Sequence, residues 1–216
     1  QGKTDRESSA LRIRSTRSLW DPRYSDESWI KEPVMLLPRM QAWVDTFYPG
    51  LKLSLGEYNF GAEGHMSGGL ALAEALGRFG QHGLYSAFYW TYPAETSPAA
   101  FAFRAFRDFD GKGATFETLS LPSDAPRDTS AFAARSADGK RLTLVLLNLS
   151  PTDAFDANVN LKGCELPSTQ RIFTYSGDAR GFVEQPVVPG KAWHLPPWSM
   201  TAIELFFDEP ITAGKK

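Results

Sequence analysis

Leu51-Lys-Leu-Ser-Leu-Gly-Glu57-Tyr-Asn-Phe-Gly61 is the stretch on which the fold turns. Leu51, Leu53 and Leu55 alternate with Lys52, Ser54 and Gly56, the period-2 pattern of a β-strand. By that alternation Glu57 is the next residue on the leucine face. An unpaired carboxylate is costly inside a core. At the end of a strand in a parallel α/β sheet it projects instead into a cleft above the packed interior. Gly56 and Gly61 flank the segment, and glycine lets backbone or ligand approach closely.

Helical patterns lie on both sides of this strand. Upstream, within residues 33–48, Leu36, Leu37, Met40, Trp43, Val44 and Phe47 fall at helical spacing, and Pro49-Gly50 stops the helix. Downstream, a loop through Glu63, His65 and Ser67 leads into a helix with Leu70, Ala73, Leu76 and Phe79 on one stripe and Ser67 as its cap. Gly80 and Gly83 end it. Leu84-Tyr-Ser-Ala-Phe-Tyr-Trp90 then reads as a buried parallel strand, with Trp90 level with Glu57 if the two strands are neighbours. Ser97-Pro98 caps a further helix reaching to about Phe109. The alternation is that of a βαβα unit. Residues 10–31, with Trp20, Asp21-Pro22, Tyr24 and Trp29, read as a long loop with a short extended start. Trp20 and Trp29 either cap a core from outside or stack on a ligand.

From Ala114 the pattern changes to short runs at Ala131–Arg135, Leu142–Asn148, Ala157–Leu161, Arg171–Tyr175, Phe182–Val188 and Thr201–Phe207. Asp138-Gly139-Lys140, Ser150-Pro151, Lys162-Gly163, Ser176-Gly177-Asp178 and Pro189-Gly190 are the turns between them. An antiparallel β-sandwich of about 100 residues is expected. The fold class is therefore α/β plus all-β, with a first domain over residues 1–113 and a β-sandwich domain over 114–216.

Composition narrows the function. Of 216 residues, 42% are apolar and 22% charged, enough apolar surface for a core. Aromatic residues reach 13%, with six Trp, fifteen Phe and seven Tyr, which suits stacking surfaces as well as core. A net charge of −2 without a basic cluster argues against nucleic acid. No run approaches the ~18 apolar residues of a membrane span. One cysteine, Cys164, excludes an internal disulfide and a cysteine-based zinc site. His65, His82 and His194 show no ligand spacing with one another, although His65 is near enough to Glu57 to reach a cleft rim. Asp108-Phe-Asp110-Gly-Lys opens like a calcium loop but lacks the third acid and the distal Glu, so a helix stop is expected there. Asn148-Leu149-Ser150 is formally a glycosylation site at the end of a strand. The polar lead-in from Gln1 to Ser9, without Met or signal sequence, suggests a processed or internal piece.

Several motifs, in order, resemble glycoside hydrolase family 44 endoglucanases, specifically their C-terminal part. They are Arg14-Ser-Thr-Arg-Ser-Leu-Trp-Asp-Pro22, Asp26-Glu-Ser-Trp-Ile30, Leu37-Pro-Arg-Met40, Glu57-Tyr-Asn-Phe-Gly61, Phe88-Tyr-Trp90 and Leu195-Pro-Pro-Trp-Ser199 with the strand that follows. The resemblance implies that residues 1–113 are the C-terminal portion of a (β/α)8 barrel beside the sandwich, hydrolysing β-1,4-glucan with retention. It implies that Glu57 is the nucleophile and Trp90 a sugar-stacking residue. Trp20 and Trp29, with Tyr58, Asn59 and Tyr92, complete the expected substrate-binding set. A barrel takes about 250 residues, so its earlier strands and the acid/base Glu, which the family carries in an Asn-Glu-Pro motif, are expected on a companion N-terminal segment. Glu63 and Glu95 read as solvated loop charges. A β-glucan partner, bacterial-type secretion, no required cofactor and room for a structural calcium follow from the same resemblance. A polysaccharide-binding module that does not cut, or a structural fragment, is the alternative reading.

Overall fold

A computed structural model describes residues 2–158, 160–161, 166–178, 180–188 and 190–211. The expected turn at Lys162-Gly163, Cys164 and Pro189 lie outside the described residues.

The first element corrects the sequence reading. Residues 10–31 do not start extended: helix α1 (Arg6–Ser15) occupies their beginning, followed by a 3-10 turn at Thr16–Leu19. Asp5 caps α1, accepting from the Ser8 N–H. The helix was illegible because it buries polar atoms. Arg12 is 7% exposed and donates to the Phe60 carbonyl, the Ser67 hydroxyl and the Lys3 carbonyl. Tertiary hydrogen bonds, and not an apolar stripe, hold it down. The loop after it is tied back by Glu27, which receives both arms of Arg14 and the Tyr24 hydroxyl.

The rest of the first half follows the expected order. Helix α2 (Leu36–Phe47) precedes strand β1 (Ser54–Tyr58), α3 (Met66–Gln81), β2 (Ser86–Tyr89) and α4 (Pro98–Arg107). Ser97 caps α4 through the Ala100 N–H, with Pro98 in the first turn. The α3 cap differs from expectation: His65 accepts from the Ser67 N–H, and Ser67 lies inside the helix, taken by Arg12. Strands β1 and β2 pair in parallel as a two-stranded sheet. One face packs Leu55, Tyr58 and Ala87 onto Leu37, Ala75 and Phe79 of α2 and α3.

The second half holds β3 (Leu119–Leu121), β4 (Thr129–Arg135), β5 (Arg141–Asn148), β6 (Phe155–Ala157), β7 (Thr169–Tyr175), β8 (Val183–Gln185), β9 (Trp193–Leu195) and β10 (Ser199–Phe206). Six form an antiparallel sheet in the order β3-β4-β5-β10-β7-β8, and β6 pairs with β9 in a second. The two faces of the six-stranded sheet bury different partners. Phe132, Val145, Leu147, Tyr175 and Met200 meet Leu70, Ala73, Phe101 and Ala102 of α3 and α4. Leu144, Leu146, Ile203 and Leu205 meet Leu195, Trp193 and Ala157 of the smaller sheet. Helices therefore cover one face, and a single core crosses residue 113. Asn148 is fully buried, its amide donating to the Asp153, Leu195 and Pro196 carbonyls, so it braces the sheet end. Asp108 and Asp110 accept main-chain N–H groups of residues 112–114 after the helix stop.

A Cβ at Gly77 of α3 would lie 2.4 Å from the Phe132 ring. Gly→Ala in an exposed helix gains about 1 kcal/mol, but Gly77→Ala should lower stability by roughly 1–3 kcal/mol through overpacking, read as a lower denaturation midpoint. At the far end, Glu204 is 2% exposed between Arg171 and Arg141. Burial raises its pKa, while the two guanidiniums oppose the rise. A group raised on folding gives stability that is fully present below its unfolded value and lost as pH rises through the folded one. Arg171→Met should cost roughly 1–3 kcal/mol at neutral pH, less than for a wholly buried pair because Arg141 remains. The deficit should shrink as pH falls toward 4.5, the ordinary value for Glu, because Glu204, raised by burial, takes its proton before that pH is reached.

Candidate active site

The register of β1 against β2 decides which residues share the open face of the sheet. Ser54 pairs with Ser86 and Leu55 with Ala87, but Glu57, not Gly56, pairs with Phe88, and Tyr58 with Tyr89. Gly56 is thus an extra residue, a bulge of the kind found beside active sites. It corrects the simple alternation: Glu57 leaves the leucine face and points away from the helices, while Tyr58 takes the helix-facing place. Among the described residues the Glu57 carboxylate has no hydrogen-bond or ion-pair partner, and the residue is exposed. On the same face, Ser54 and Ser86 hydroxyls meet at 2.8 Å, and Phe88 is 62% exposed.

Trp90 is 58% exposed and stands one step beyond the Glu57–Phe88 pair, its N–H bound to the Tyr58 carbonyl at 2.9 Å. The residue level with Glu57 is therefore Phe88, whose place in Phe88-Tyr-Trp90 was a signal available in the sequence. Tyr58 is turned inward, edge-to-face with Phe79 at 5.2 Å and Tyr89 at 5.3 Å, and burial raises its pKa to about 12. It supports the sheet from behind. Asn59 accepts from the Gly61 N–H and donates to the Trp90 carbonyl at 3.0 Å and to Glu63 at 2.9 Å. Its amide is spent on joining the two strand ends. Tyr92 is fully exposed beyond Trp90, and Trp29 is 88% exposed in the loop tied back by Glu27. Trp20 is not brought to the open face: the Arg78 guanidinium of α3 lies 3.8 Å over its ring, covering one side.

Glu63 differs most from its reading as a solvated charge. One carboxylate oxygen accepts from the Asn59 amide, the Tyr89 hydroxyl and the Thr91 hydroxyl. Partial burial alone would raise its pKa; the bonds from Thr91, Tyr89 and Asn59 outweigh that and hold it below the ordinary range. Burial and the same carboxylate push Tyr89 the other way, upward. Nothing in the spacing of Glu63 announced this, because its donors come from two separate strand ends.

His65 is committed elsewhere, edge-to-face with Trp198 at 5.0 Å, and its pKa is lowered by burial and by the charge of Arg12. A groove of about 1290 Å³ runs between α1, α3 and the second-half loops, lined by Trp20, Glu74, Arg78 and Trp198. Both of its buried carboxylates are ion-paired, Glu74 to Arg78 at 2.8 Å and Asp21 to Arg17 at 2.7 Å, and serve as braces. Among the described residues no three metal-ligating side chains gather, and no helix is long and apolar enough to cross a membrane.

No family model matches the chain. The sequence is 31% identical to Endoglucanase A of Paenibacillus lautus over 94% of this chain and 31% of that protein. A solved xyloglucanase of Paenibacillus polymyxa, from glycoside hydrolase family 44, superposes with TM-score 0.86 at 29% identity, over 94% of this chain and 42% of that one. The chain belongs to glycoside hydrolase family 44. CelM2, a bifunctional glucanase-xylanase from a metagenome library, superposes at TM-score 0.90 with 33% identity, over 96% of this family 44 chain and 41% of that one. The chain thus spans about a third to two fifths of the length of these relatives.

Proposed function

We propose that this family 44 chain is the nucleophile-bearing part of a secreted, retaining endo-β-1,4-glucanase whose substrates are glucans such as cellulose or xyloglucan, with xylan as an additional class. The observation that carries the reading is the open face of β1 and β2. Glu57 stands there with an unpartnered carboxylate among the described residues, flanked by the exposed rings of Phe88 and Trp90. Glu57 attacks the anomeric carbon, and a second carboxyl about 5–5.5 Å away first protonates the leaving oxygen and then deprotonates the water. We place that second group on a segment that completes a (β/α)8 barrel around β1 and β2. The relatives support this substrate class by name: endoglucanase, xyloglucanase and glucanase-xylanase.

A non-cutting sugar-binding role for the antiparallel sheets finds little support. Among the described residues their exposed large apolar side chains are aliphatic, and the exposed rings lie between Trp29 and Tyr92. The test is trapping: a 2-deoxy-2-fluoro-β-cellobioside with a good leaving group should inactivate the completed enzyme and leave one sugar ester, on the peptide containing Glu57. A label on another carboxylate, or inactivation without a label, would refute the assignment.

Trp90 supplies a second check. Its ring is more than half exposed, so Trp90→Ala should lower stability by less than about 1 kcal/mol, far from the ~3–5 kcal/mol of a core aromatic. Affinity for glucan oligosaccharides should fall roughly five- to tenfold, given ~1–1.4 kcal/mol for a lost stacking partner, as measured by calorimetry.

A further inference from the structure

The turn after β2 is strained, and one carboxylate holds it. Thr91 has φ of 133°, a left-handed value that a β-branched residue rarely adopts. Its hydroxyl donates to Glu63, which also receives Tyr89 from the same strand and Asn59 from the end of β1. Asn59 in turn holds the carbonyl of Trp90. Glu63 is fixed from below as well, since its carbonyl accepts the Ala99 N–H of α4 at 3.2 Å. The bonds from Tyr89 and Thr91 to Glu63 and from Asn59 to the Trp90 carbonyl join the chain after β1 to the end of β2, and the two residues displayed above them are Glu57 and Trp90.

We propose that Glu63 is a positioning residue for sugar binding: its carboxylate clamps the strained Thr91 turn to Asn59 and thereby sets where the Trp90 ring stands relative to Glu57. The inference rests on the reading of Glu57 as nucleophile and Trp90 as a sugar platform. It explains an arrangement that packing alone does not. Three donors from two strand ends converge on one oxygen of a single side chain, and charge-assisted bonds of this type are short and directional. An ionised acceptor suits all three, because none of them has to accept in return. Since they share one oxygen, a glutamine can keep the contact with its amide oxygen, whereas alanine cannot.

Glu63→Ala, Glu63→Gln, Trp90→Ala and the Glu63→Ala/Trp90→Ala double variant are compared in the completed enzyme, with Glu57→Gln alongside. Glu63→Ala should raise KM for a soluble glucan roughly tenfold with a much smaller change in kcat, the mark of lost binding and not lost chemistry. Glu63→Gln should recover most of that loss. In the Trp90→Ala background the Glu63→Ala change should cost little further, because its effect passes through the ring. Circular dichroism of each variant separates misfolding from misplacement. A KM unchanged by Glu63→Ala, or costs that simply add in the double variant, would overturn the inference while leaving Glu57 in place. A Glu63→Gln variant as inactive as Glu63→Ala, with one limb of the pH profile missing, would also overturn it by making Glu63 a proton-transfer group. Should Glu57→Gln keep normal turnover, the parent reading fails, whatever Glu63 does.

Discussion

Glu57→Gln in the completed enzyme should lower kcat by several orders of magnitude while leaving glucan binding nearly unchanged. The substitution keeps the shape of the side chain and removes the charge. In the folded chain this carboxylate has no hydrogen bond or ion pair to lose among the described residues, so the fold should tolerate the change. The loss then falls on the attack at the anomeric carbon, an event confined to the transition state, and appears in kcat and kcat/KM alike. A smaller variant adds a stereochemical test. With Glu57→Gly and an activated β-glucoside, azide should enter the vacated space and give the α-configured glycosyl azide, because it attacks from the nucleophile's side. A β-configured azide would instead mark Glu57 as the acid/base group. Near-normal turnover of Glu57→Gln would remove it from the mechanism.

The strand bearing Glu57 was legible because Leu51, Leu53 and Leu55 alternate and Pro49-Gly50 and Gly61 bound the run. The face on which Glu57 stands was not, because one extra residue at Gly56 exchanges the faces beyond it. Helices α2, α3 and α4 showed through their apolar stripes and, for α4, through Ser97-Pro98. Helix α1 did not, since Arg12 and Ser9 are its buried anchors and their partners lie up to 55 residues away. Within the antiparallel half, β5 and β10 are central strands rich in apolar residues and buried over Leu142–Asn148 and Ser199–Leu205, and they were read to within two residues. Strand β9 is three residues long and follows a turn outside any alternating run, so periodicity had nothing to detect. The Glu63 hub was hidden for a different reason: its donors meet only once β1 and β2 pair.

The second large effect concerns the chain by itself. In isolation it should show no detectable glucan hydrolysis and should self-associate. A companion segment supplying the remaining barrel strands should restore both solubility and turnover. Among the described residues β1 and β2 are a two-stranded parallel sheet, with helices on one face and the other face open. Parallel sheets are normally covered on both faces, a two-stranded sheet is marginal, and bare strand edges invite further pairing. Apolar surface accompanies those edges: Trp43 and Phe47, one turn apart on α2, are more than half exposed, as are Tyr48, Leu51 and Tyr85. The relatives have the length to cover it, since this chain spans only 41–42% of the two solved ones. Light scattering on the chain with and without the companion, followed by reducing-sugar release from each, makes the comparison. Monomeric chain alone with measurable hydrolysis would show that a second carboxyl lies within these residues and that no completing segment is needed.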